Sequence, residues 1–398
     1  MAIGPTSTAA VERPVDRLAL GLLSAGHFSV DLSQGAVPAM LPFFIRERHL
    51  GYTAAAGLVL AQTISSSVLQ PLFGGLTDRR SASWLMPAGV AVASAGLVAA
   101  ALLPTYGLIW LAIAVSGVGV AAYHPEGARY TSYASGDRRA TGMSLFSVGG
   151  NAGFAAAPVL ATPALLLLGL RGGWLMGVVP LAAAAALTAQ LPRLDARRAA
   201  ATGPQAERTV DSVNRWGPFA RVTGVVLARS VLFYGLNTFI PLYWIGVLHQ
   251  PAGAGGAALA TLLITGIVGT LLGGRLADRF SRRHVVVVAV TLTAPLLLLL
   301  LSVHGPLVAN AVLVPLALVL YVPSSILVVL GQEYLPGRVG TASGVTLGLS
   351  VSVGGLVTPA IGYVADRTDL HTAMLLLVAL PVIATALAVS LPRGLRRV

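Results

Sequence analysis

Long apolar runs alternate with short polar segments along the whole chain, and this pattern predicts membrane-spanning helices. A helix that crosses the hydrocarbon core of a bilayer needs about 20 mostly apolar residues. Twelve stretches of the chain have this length and character, and we number them as predicted spans 1 to 12: 18–45, 54–76, 84–103, 106–128, 141–168, 173–191, 219–247, 256–276, 285–303, 306–330, 340–365 and 371–391.

The stretch 192–218 interrupts this pattern in the middle of the chain. It carries eight charged residues, which are Arg193, Asp195, Arg197, Arg198, Glu207, Arg208, Asp211 and Arg215. So many charges would be costly within a bilayer, so the stretch is predicted to be a cytoplasmic linker. It separates an N-terminal six-helix bundle, 1–191, from a C-terminal six-helix bundle, 219–398.

A short motif recurs at the same place in both halves. Gly74–Arg80 follows span 2 and Gly274–Arg283 follows span 8, so that Asp78 and Asp278 are 200 positions apart. Two further pairs have this offset: Gly35 with Gly235, and Thr141 with Thr341. Duplicated halves that rock about a central site are typical of secondary transporters. We therefore predict an all-α membrane protein whose twelve transmembrane helices form two pseudo-symmetric bundles.

Composition supports a membrane protein and excludes several other classes. Hydrophobic residues make up 56% of the chain and charged residues 10%, whereas soluble proteins carry roughly 25% charged residues. All 26 basic residues are Arg, so the Lys of an ATP-binding P-loop is absent. The Arg residues form short clusters between spans instead of the contiguous basic face of a nucleic-acid-binding protein. There is no Cys, which excludes disulfides and thiolate metal sites.

The distribution of Arg between the predicted loops indicates the orientation in the membrane, because cytoplasmic loops are enriched in Lys and Arg. With both termini in the cytoplasm, the external loops hold only Arg46, Arg48, Arg171 and Arg367. The cytoplasmic segments hold the linker cluster and Arg13, Arg17, Arg79, Arg80, Arg138, Arg139, Arg279, Arg282, Arg283, Arg338, Arg393, Arg396 and Arg397. We expect both termini to be cytoplasmic.

The two sets of six spans, the middle linker and the repeated Gly-x-Leu-x-Asp-Arg motif resemble the major facilitator superfamily. The first copy of the motif departs from the family pattern after Arg79, and the second copy is closer to it. A narrower resemblance, to the fosmidomycin-resistance branch, rests on five strings: His27–Asp31 with Gly35 and Pro38, Gln70–Gly74, Tyr123–Arg129, Tyr234–Tyr243 and Gly331–Pro336.

This resemblance implies a multi-pass efflux protein of the bacterial inner membrane that exchanges a drug for protons. Fosmidomycin is a phosphonate, so an anionic substrate is expected. The expected partners are protons, a small-molecule substrate and the lipid bilayer. We expect a monomer with no cofactor, no bound metal and no nucleic-acid partner.

Four polar residues lie on one face of span 1, because Ser24, His27, Asp31 and Gln34 follow helical spacing. Asp31 is near the middle of the span, where an ionisable side chain is costly and usually functional. His27 is one turn away and titrates near neutral pH. We predict a proton-coupling pair; the alternative is a static, hydrogen-bonded pair that stabilises helix contacts.

A second group of polar residues lies in span 7. Arg229 is a permanent cation within the span and needs an anion, either a protein carboxylate or a substrate. One hypothesis is that Asp31 pairs with Arg229 when the site is empty; a permanent structural pair is the alternative. Tyr234 and Asn237 are one turn apart on this helix and are candidates for hydrogen bonds to substrate. Gln34, Gln62, Tyr123 and Asn151 complete the substrate-binding candidates.

Charged residues also occur near the cytoplasmic ends of spans. His124, Glu126 and Arg129 lie at the end of span 4, and the spacing of Glu126 and Arg129 permits a local ion pair. They are predicted to form a gate or a proton-entry relay, with a structural salt bridge as the alternative. Glu333 ends span 10, where a structural role is favoured.

The repeated motif supplies candidates for a conformational latch. In the superfamily that the chain resembles, an Asp at this place pairs with Arg or a helix N-terminus and holds one conformation. The predicted latch comprises Asp78, Arg79, Asp278 and Arg279, with Arg129 and Glu333 nearby. A solvated turn is the alternative. Gly149, Gly150 and Gly153 in span 5 are expected to let another helix approach closely.

Other functions are compatible with parts of this pattern. An importer or facilitator of an organic anion would use the same fold, because fold alone does not fix direction. A membrane-embedded enzyme would need a catalytic constellation, and the chain has no His-Glu-x-x-His and no Gly-x-Ser-x-Gly. A sensor would normally carry a soluble signalling domain. We therefore predict a transporter and not an enzyme.

Overall fold

A computed structural model of the protein describes residues 15–79, 82–136, 139–201, 213–338, 341–342 and 344–392. Within these ranges the chain is helical and contains no β-strand. The helices follow the predicted order, and their bounds define the spans used from here on. Spans 1 to 6 are Arg17–Arg48, Tyr52–Arg79, Leu85–Leu102, Tyr106–Ala134, Arg139–Leu168 and Val178–Ala201.

The second half repeats this arrangement, and three of its spans are irregular. Span 10 is broken at Val322, and span 11 opens with a π-helical turn, Gly344–Leu349. Span 12 consists of Leu370–Leu376 and Ala379–Val389. Spans 7 to 11 are Trp216–Gly246, Ala252–Arg279, Arg282–Ser302, Pro306–Tyr334 and Gly344–Arg367.

Eleven stretches of the described chain are long and apolar enough to cross a membrane. One of them, Gly142–Ala199, has 58 residues, far more than the roughly 20 that one crossing needs. It contains spans 5 and 6, which are joined by the 3-10 segment Gly169–Gly177. This stretch therefore makes two crossings, and the predicted twelve-helix membrane fold is confirmed.

The end of span 6 extends beyond the predicted boundary at residue 191, because its charged residues bind the N-terminal half. Asp16 caps the start of span 1 and forms ion pairs with Arg193 at 3.1 Å and Arg197 at 3.0 Å. Asp195 accepts hydrogen bonds from Ser83 at 2.9 Å and Tyr130 at 2.5 Å. The helix continues to Ala201, and residues 202–212 of the linker lie outside the described ranges.

Small residues let spans 1 and 5 pack closely. A Cβ added to Gly149 would lie 2.5 Å from the carbonyl oxygen of Ser24, and one added to Gly35 would lie 2.6 Å from that of Phe154. Real Cβ atoms do not approach so closely, so these positions require glycine for the observed packing. The close approach expected for the span 5 glycines is present. It brings the polar face of span 1 against span 5.

The two ends of the bundle differ in how the halves meet. We call the end that carries the connection from span 6 to span 7 the linker side, and the opposite end the far side. On the far side, Asp366 of span 11 hydrogen-bonds the start of span 2, and Thr162 of span 5 packs against Gly256 of span 8. The far side is therefore closed by direct contacts between the halves.

A cavity of about 600 Å³ lies between the halves toward the linker side. Its walls come from spans 5, 7, 8, 10 and 11, and the lining residues lie in the linker-side portions of these helices. Closure at the far side and a cavity toward the linker side together define one orientation of the two halves.

Candidate functional site

Among the described residues of the spans, a carboxylate lies between two histidines and forms a cluster of three ionisable side chains. Asp31 Oδ2 lies 3.4 Å from His27 Nε2 on the same helix, and Asp31 Oδ1 lies 3.4 Å from His124 Nε2 on span 4. We call these three residues the His-Asp-His cluster. His27 and Asp31 were predicted as a pair; the structure adds His124 to them.

Backbone carbonyls fix the tautomer of both histidines. His27 Nδ1 lies 2.7 Å from the carbonyl oxygen of Phe146, and His124 Nδ1 lies 2.8 Å from that of Val120. A carbonyl oxygen only accepts, so each Nδ1 carries a hydrogen and donates it. Each Nε2 atom therefore faces Asp31 and is free to bind or release a proton.

The cluster is enclosed but remains close to solvent. The exposed fractions of the His27, Asp31 and His124 side chains are 11%, 15% and 22%. The Phe146 ring stacks on His27 with centroids 4.0 Å apart. Gly150 leaves the space that the cluster fills, because a Cβ there would lie 2.5 Å from both Asp31 Oδ2 and His27 Nε2.

This arrangement suits the sharing of protons between a carboxylate and imidazoles. Acceptors that face each other at 3.4 Å repel unless a proton or another cation lies between them. One ligand atom from each of the three residues lies within 4.8 Å of the other two, so the spacing alone also admits a divalent cation. A chelator distinguishes the two kinds of occupant experimentally.

Arg229 lines the cavity on the other half. Its Nη1 donates a long hydrogen bond, 3.4 Å, to the carbonyl oxygen of Leu320, and its Nε has no hydrogen-bond partner in the described chain. No carboxylate of the described residues forms an ion pair with it. The hypothesis that Asp31 pairs with Arg229 in the empty site is wrong for this conformation, since Asp31 is held between the two histidines.

The cavity wall is polar around this cation. Asn151 of span 5 and Tyr234 of span 7, two of the candidates for substrate binding, line it. Tyr234 also lies within electrostatic range of both Asp31 and Arg229. Sequence analysis missed further polar lining residues, namely Ser147, Ser230, Thr270, Tyr321, Ser324, Ser325, Gln332 and Thr346.

Sequence offered a signal for some of these missed residues. Tyr321, Ser324 and Ser325 flank Pro323, where span 10 is broken, and polar residues beside a helix break within a membrane usually line a cavity. These residues line the same cavity as Arg229.

Four predicted substrate-binding residues do not line the cavity. Gln62 donates to the carbonyl oxygen of Ser33 at 3.2 Å inside the N-terminal half. Tyr123 donates to the carbonyl oxygen of Leu23, and Asn237 donates to that of Phe233 at 3.0 Å. These contacts tie helices together or bond within one helix. The remaining residue, Gln34, is half-buried on span 1 and is absent from the cavity wall.

Glu126 lies apart from the His-Asp-His cluster. Its Oε1 accepts from the backbone N–H of Ala82 at 3.2 Å, and its Oε2 lies 3.5 Å from Arg129. Arg129 in turn donates to the carbonyl and the hydroxyl of Thr77 at the end of span 2. The predicted ion pair is present, but it anchors the connection between spans 2 and 3 instead of joining Asp31. The geometry therefore favours the structural alternative for Glu126.

The latch candidates have different surroundings. The side chains of Asp78 and Arg79 lie outside the described part of the chain. Asp278 and Arg279 are exposed at the end of span 8. Glu333 forms an ion pair with Arg282 and thereby ties span 10 to the start of span 9. Both halves thus hold an acidic residue against an Arg near the linker side, with different partners.

Asp366 of span 11 forms a contact with the start of span 2 that the sequence did not predict. Its Oδ1 accepts from the backbone N–H of Tyr52 at 2.7 Å. Its Oδ2 accepts from the backbone N–H of Thr53 at 2.8 Å and from the hydroxyl of Thr53 at 2.6 Å. The carboxylate of one half therefore caps the first turn of a helix in the other half.

Comparison with known proteins agrees with this geometry. The family model for the Major Facilitator Superfamily matches residues 23–359, which is most of the chain. The chain belongs to the Major Facilitator Superfamily. It is therefore a multi-pass membrane transporter, and the family predicted from the sequence motifs is confirmed.

Curated relatives place this superfamily member more narrowly. The uncharacterized MFS-type transporter YfnC of Bacillus subtilis is 32% identical over 364 residues, which cover 90% of this chain and 88% of the relative. The fosmidomycin resistance protein of Escherichia coli is 30% identical over 376 residues, which cover 92% of this chain and 90% of the relative. These matches support the predicted fosmidomycin-resistance-like branch.

Solved structures agree with the superfamily fold. A bacterial homologue of the human lysosomal transporter Spinster, in an inward-facing and occupied conformation, superposes with a TM-score of 0.78 at 15% identity. The match covers 95% of this chain and 97% of that protein. At this identity the likeness concerns the fold of the superfamily and not the substrate.

Proposed function

We propose that this protein exports a small anionic compound from the bacterial cytoplasm in exchange for protons. The observation that carries the proposal is the His-Asp-His cluster in one half, together with a cavity that Arg229 of the other half lines. The cluster offers exchangeable protons, and Arg229 offers a binding site for an anion. Proton-coupled transport of an anion can use both, and they lie on opposite halves that move relative to each other in this superfamily.

The linker side is assigned to the cytoplasm, with both termini there and the protein in the inner membrane. The distribution of Arg supports this assignment, since the external loops hold only four Arg residues. The cavity then faces the cytoplasm, and the far side is closed toward the exterior. This is the orientation in which an exporter would take up its substrate.

Arg229 supports an anionic substrate. A guanidinium matches the geometry of carboxylates, phosphates and phosphonates, and the surrounding hydroxyl and amide groups can hydrogen-bond the rest of a polar molecule. The name of the Escherichia coli relative points to fosmidomycin, a phosphonate, as a first probe. The protein is proposed to act on such compounds as a monomer, without a cofactor or a bound metal.

One physical observation favours a second candidate, a proton-coupled importer of an organic anion. A protonated cluster is more positive than an unprotonated one, so by charge alone it attracts an anion to Arg229 instead of expelling it. Electrostatics thus favours binding protons and substrate together. Exchange instead requires that protons and substrate favour opposite orientations of the halves.

The sign of proton movement separates the two candidates. The purified protein would be reconstituted in liposomes that contain a pH-sensitive dye, and fosmidomycin would be added outside. If substrate is exchanged for protons, the lumen becomes more alkaline; if they travel together, it becomes more acidic. This sign does not depend on which way the protein is inserted.

A matched variant ties the signal to the cluster. Asp31→Asn removes the carboxylate charge and nearly preserves the shape of the side chain, so fosmidomycin uptake should no longer move protons. An acidifying signal in the unaltered protein would overturn the exporter. Unchanged proton movement in Asp31→Asn would remove the cluster from the mechanism.

A further inference from the structure

We propose that the His-Asp-His cluster binds two protons in each transport cycle, one at each contact between an imidazole and Asp31. This inference rests on the proposed proton coupling and adds its stoichiometry. It follows from the hydrogen-bond partners of the two histidines and from the way that their rings face the carboxylate.

Only one nitrogen of each histidine is available for titration against Asp31. The Nδ1 atoms are 2.7 Å and 2.8 Å from the carbonyl oxygens of Phe146 and Val120, so both carry a hydrogen in this conformation. The exchangeable sites are therefore His27 Nε2, His124 Nε2 and the carboxylate between them.

The two imidazoles face different oxygens of the same carboxylate. His27 Nε2 faces Oδ2 and His124 Nε2 faces Oδ1, each at 3.4 Å. Without bound protons, both contacts bring two lone pairs together. One proton converts one contact into an N–H···O interaction and leaves the other repulsive. Two protons are needed before both contacts are attractive.

The formal charge of the cluster changes accordingly. It is −1 without bound protons, zero with one proton, and +1 when two imidazolium groups flank the Asp31 carboxylate. In the doubly loaded state each added proton lies on an Nε2 atom and is shared with one oxygen. No bond other than these N–H bonds forms or breaks.

No other ionisable group of the described chain is placed to take these protons. Span 4 also presents Tyr123, whose hydroxyl donates to the carbonyl oxygen of Leu23. Span 5 presents Phe146 and Gly150 to the cluster, and neither is ionisable. On span 7, Tyr234 lies within electrostatic range of Asp31, and Arg229 of the same helix stays protonated.

Stoichiometry determines how strongly a proton gradient drives transport. At zero membrane potential, a tenfold proton gradient balances an about 100-fold substrate gradient when two protons are exchanged, and an about tenfold gradient when one is exchanged. The substrate ratio at which net flux stops therefore reports the number of protons directly.

The experiment measures this balance point in proteoliposomes, with fosmidomycin as the probe and the potential held at zero by potassium and valinomycin. In the unaltered protein, net flux should stop when the substrate ratio equals the square of the proton ratio. In His124→Gln, net flux should stop when the substrate ratio equals the proton ratio itself, because the amide supplies a permanent N–H toward Asp31 and cannot titrate. His284→Gln is the control, since His284 is exposed at the start of span 9.

Each outcome has a distinct meaning. The two-proton cluster is overturned if net flux in the unaltered protein stops when the substrate ratio equals the proton ratio. It is also overturned if net flux in His124→Gln stops when the substrate ratio equals the square of the proton ratio. If the substrate ratio at which net flux stops does not depend on the proton gradient, the proposed function itself is overturned. A balance point that moves when EDTA is added shows that a metal ion occupies the cluster and also overturns the proposal.

A binding measurement covers the case in which His124→Gln does not transport. In weakly buffered detergent solution, at a pH low enough for the substrate-free cluster to hold its protons, fosmidomycin binding should release about twice as many protons from the unaltered protein as from His124→Gln. Equal release from the two proteins contradicts the assignment of the second proton to His124.

Discussion

Asp366 and Thr53 join the two halves of the transporter at the far side. Asp366 Oδ2 accepts hydrogen bonds from the backbone N–H of Thr53 at 2.8 Å and from its hydroxyl at 2.6 Å. The residues belong to spans 11 and 2, which must separate at this end when the far side opens. The contact can therefore exist only while the far side is closed.

Asp366→Ala is expected to shift the protein toward the far-side-open conformation. Loss of a helix cap costs about 0.5–2 kcal/mol, which corresponds to an about twofold to thirtyfold change in the equilibrium between orientations. The chain has no Cys, so a Cys pair at Leu166 and Gly253 would report far-side closure without background. Cross-linking of this pair should be slower in Asp366→Ala.

Asp369 provides the matched control for this measurement. It caps the start of span 12 by accepting from the backbone N–H and the hydroxyl of Thr372, within its own half. Asp369→Ala also loses a cap but removes no contact between the halves. Equal effects of the two substitutions would show that Asp366 acts only through local helix stability.

Gly150→Ala should abolish proton coupling without preventing folding. The added methyl group would lie 2.5 Å from Asp31 Oδ2 and His27 Nε2, so it must displace the cluster. Overpacking of this kind costs about 1–3 kcal/mol, which is less than most proteins need to unfold. The dye-loaded liposomes should show fosmidomycin uptake with little change in lumen pH.

Gly21→Ala is the control on the same side of the bundle, because nothing lies within 4 Å of a Cβ at this position in span 1. It should keep full proton movement. If Gly150→Ala also moves as many protons as the unaltered protein, the close contact between Gly150 and the cluster has no part in coupling.

Arg229→Gln should weaken binding of anionic substrates and leave neutral ones nearly unchanged. Hydrogen bonds to charged groups contribute about 1.5–3 kcal/mol, so the apparent KM for a phosphonate should rise about tenfold to a hundredfold. Arg275→Gln, at an exposed position on the same half, is the control. Equal losses for anionic and neutral substrates in Arg229→Gln would mean that Arg229 is structural.

Glu126→Gln should lower thermal stability and leave the number of exchanged protons unchanged. The substitution removes the ion pair with Arg129 but keeps an acceptor for the N–H of Ala82. Breaking a buried pair costs about 3–5 kcal/mol, so the Tm should fall clearly. Glu333→Gln should lower it less, because the side chains of Glu333 and Arg282 are 30% and 36% exposed. If the substrate ratio at which net flux stops changes in Glu126→Gln, Glu126 takes part in proton coupling.

Sequence by itself determined the elements and their order. Apolar runs of bilayer length determine twelve spans, because no other structure of a single segment satisfies the backbone in lipid. The 200-residue repeat reveals the two halves, and the motifs identify the superfamily. The pair of His27 and Asp31 was also accessible, since residues four apart on a helix are neighbours.

Only the tertiary structure decided which residues of different spans meet. His124 joins Asp31 across 93 positions because Gly150 leaves room for the cluster. Arg229 lines the cavity and forms no ion pair with Asp31. Asp366 of one half hydrogen-bonds span 2 of the other half. Spacing along one helix fixes which residues share a face, but the rotation and separation of two helices depend on how small side chains let them pack.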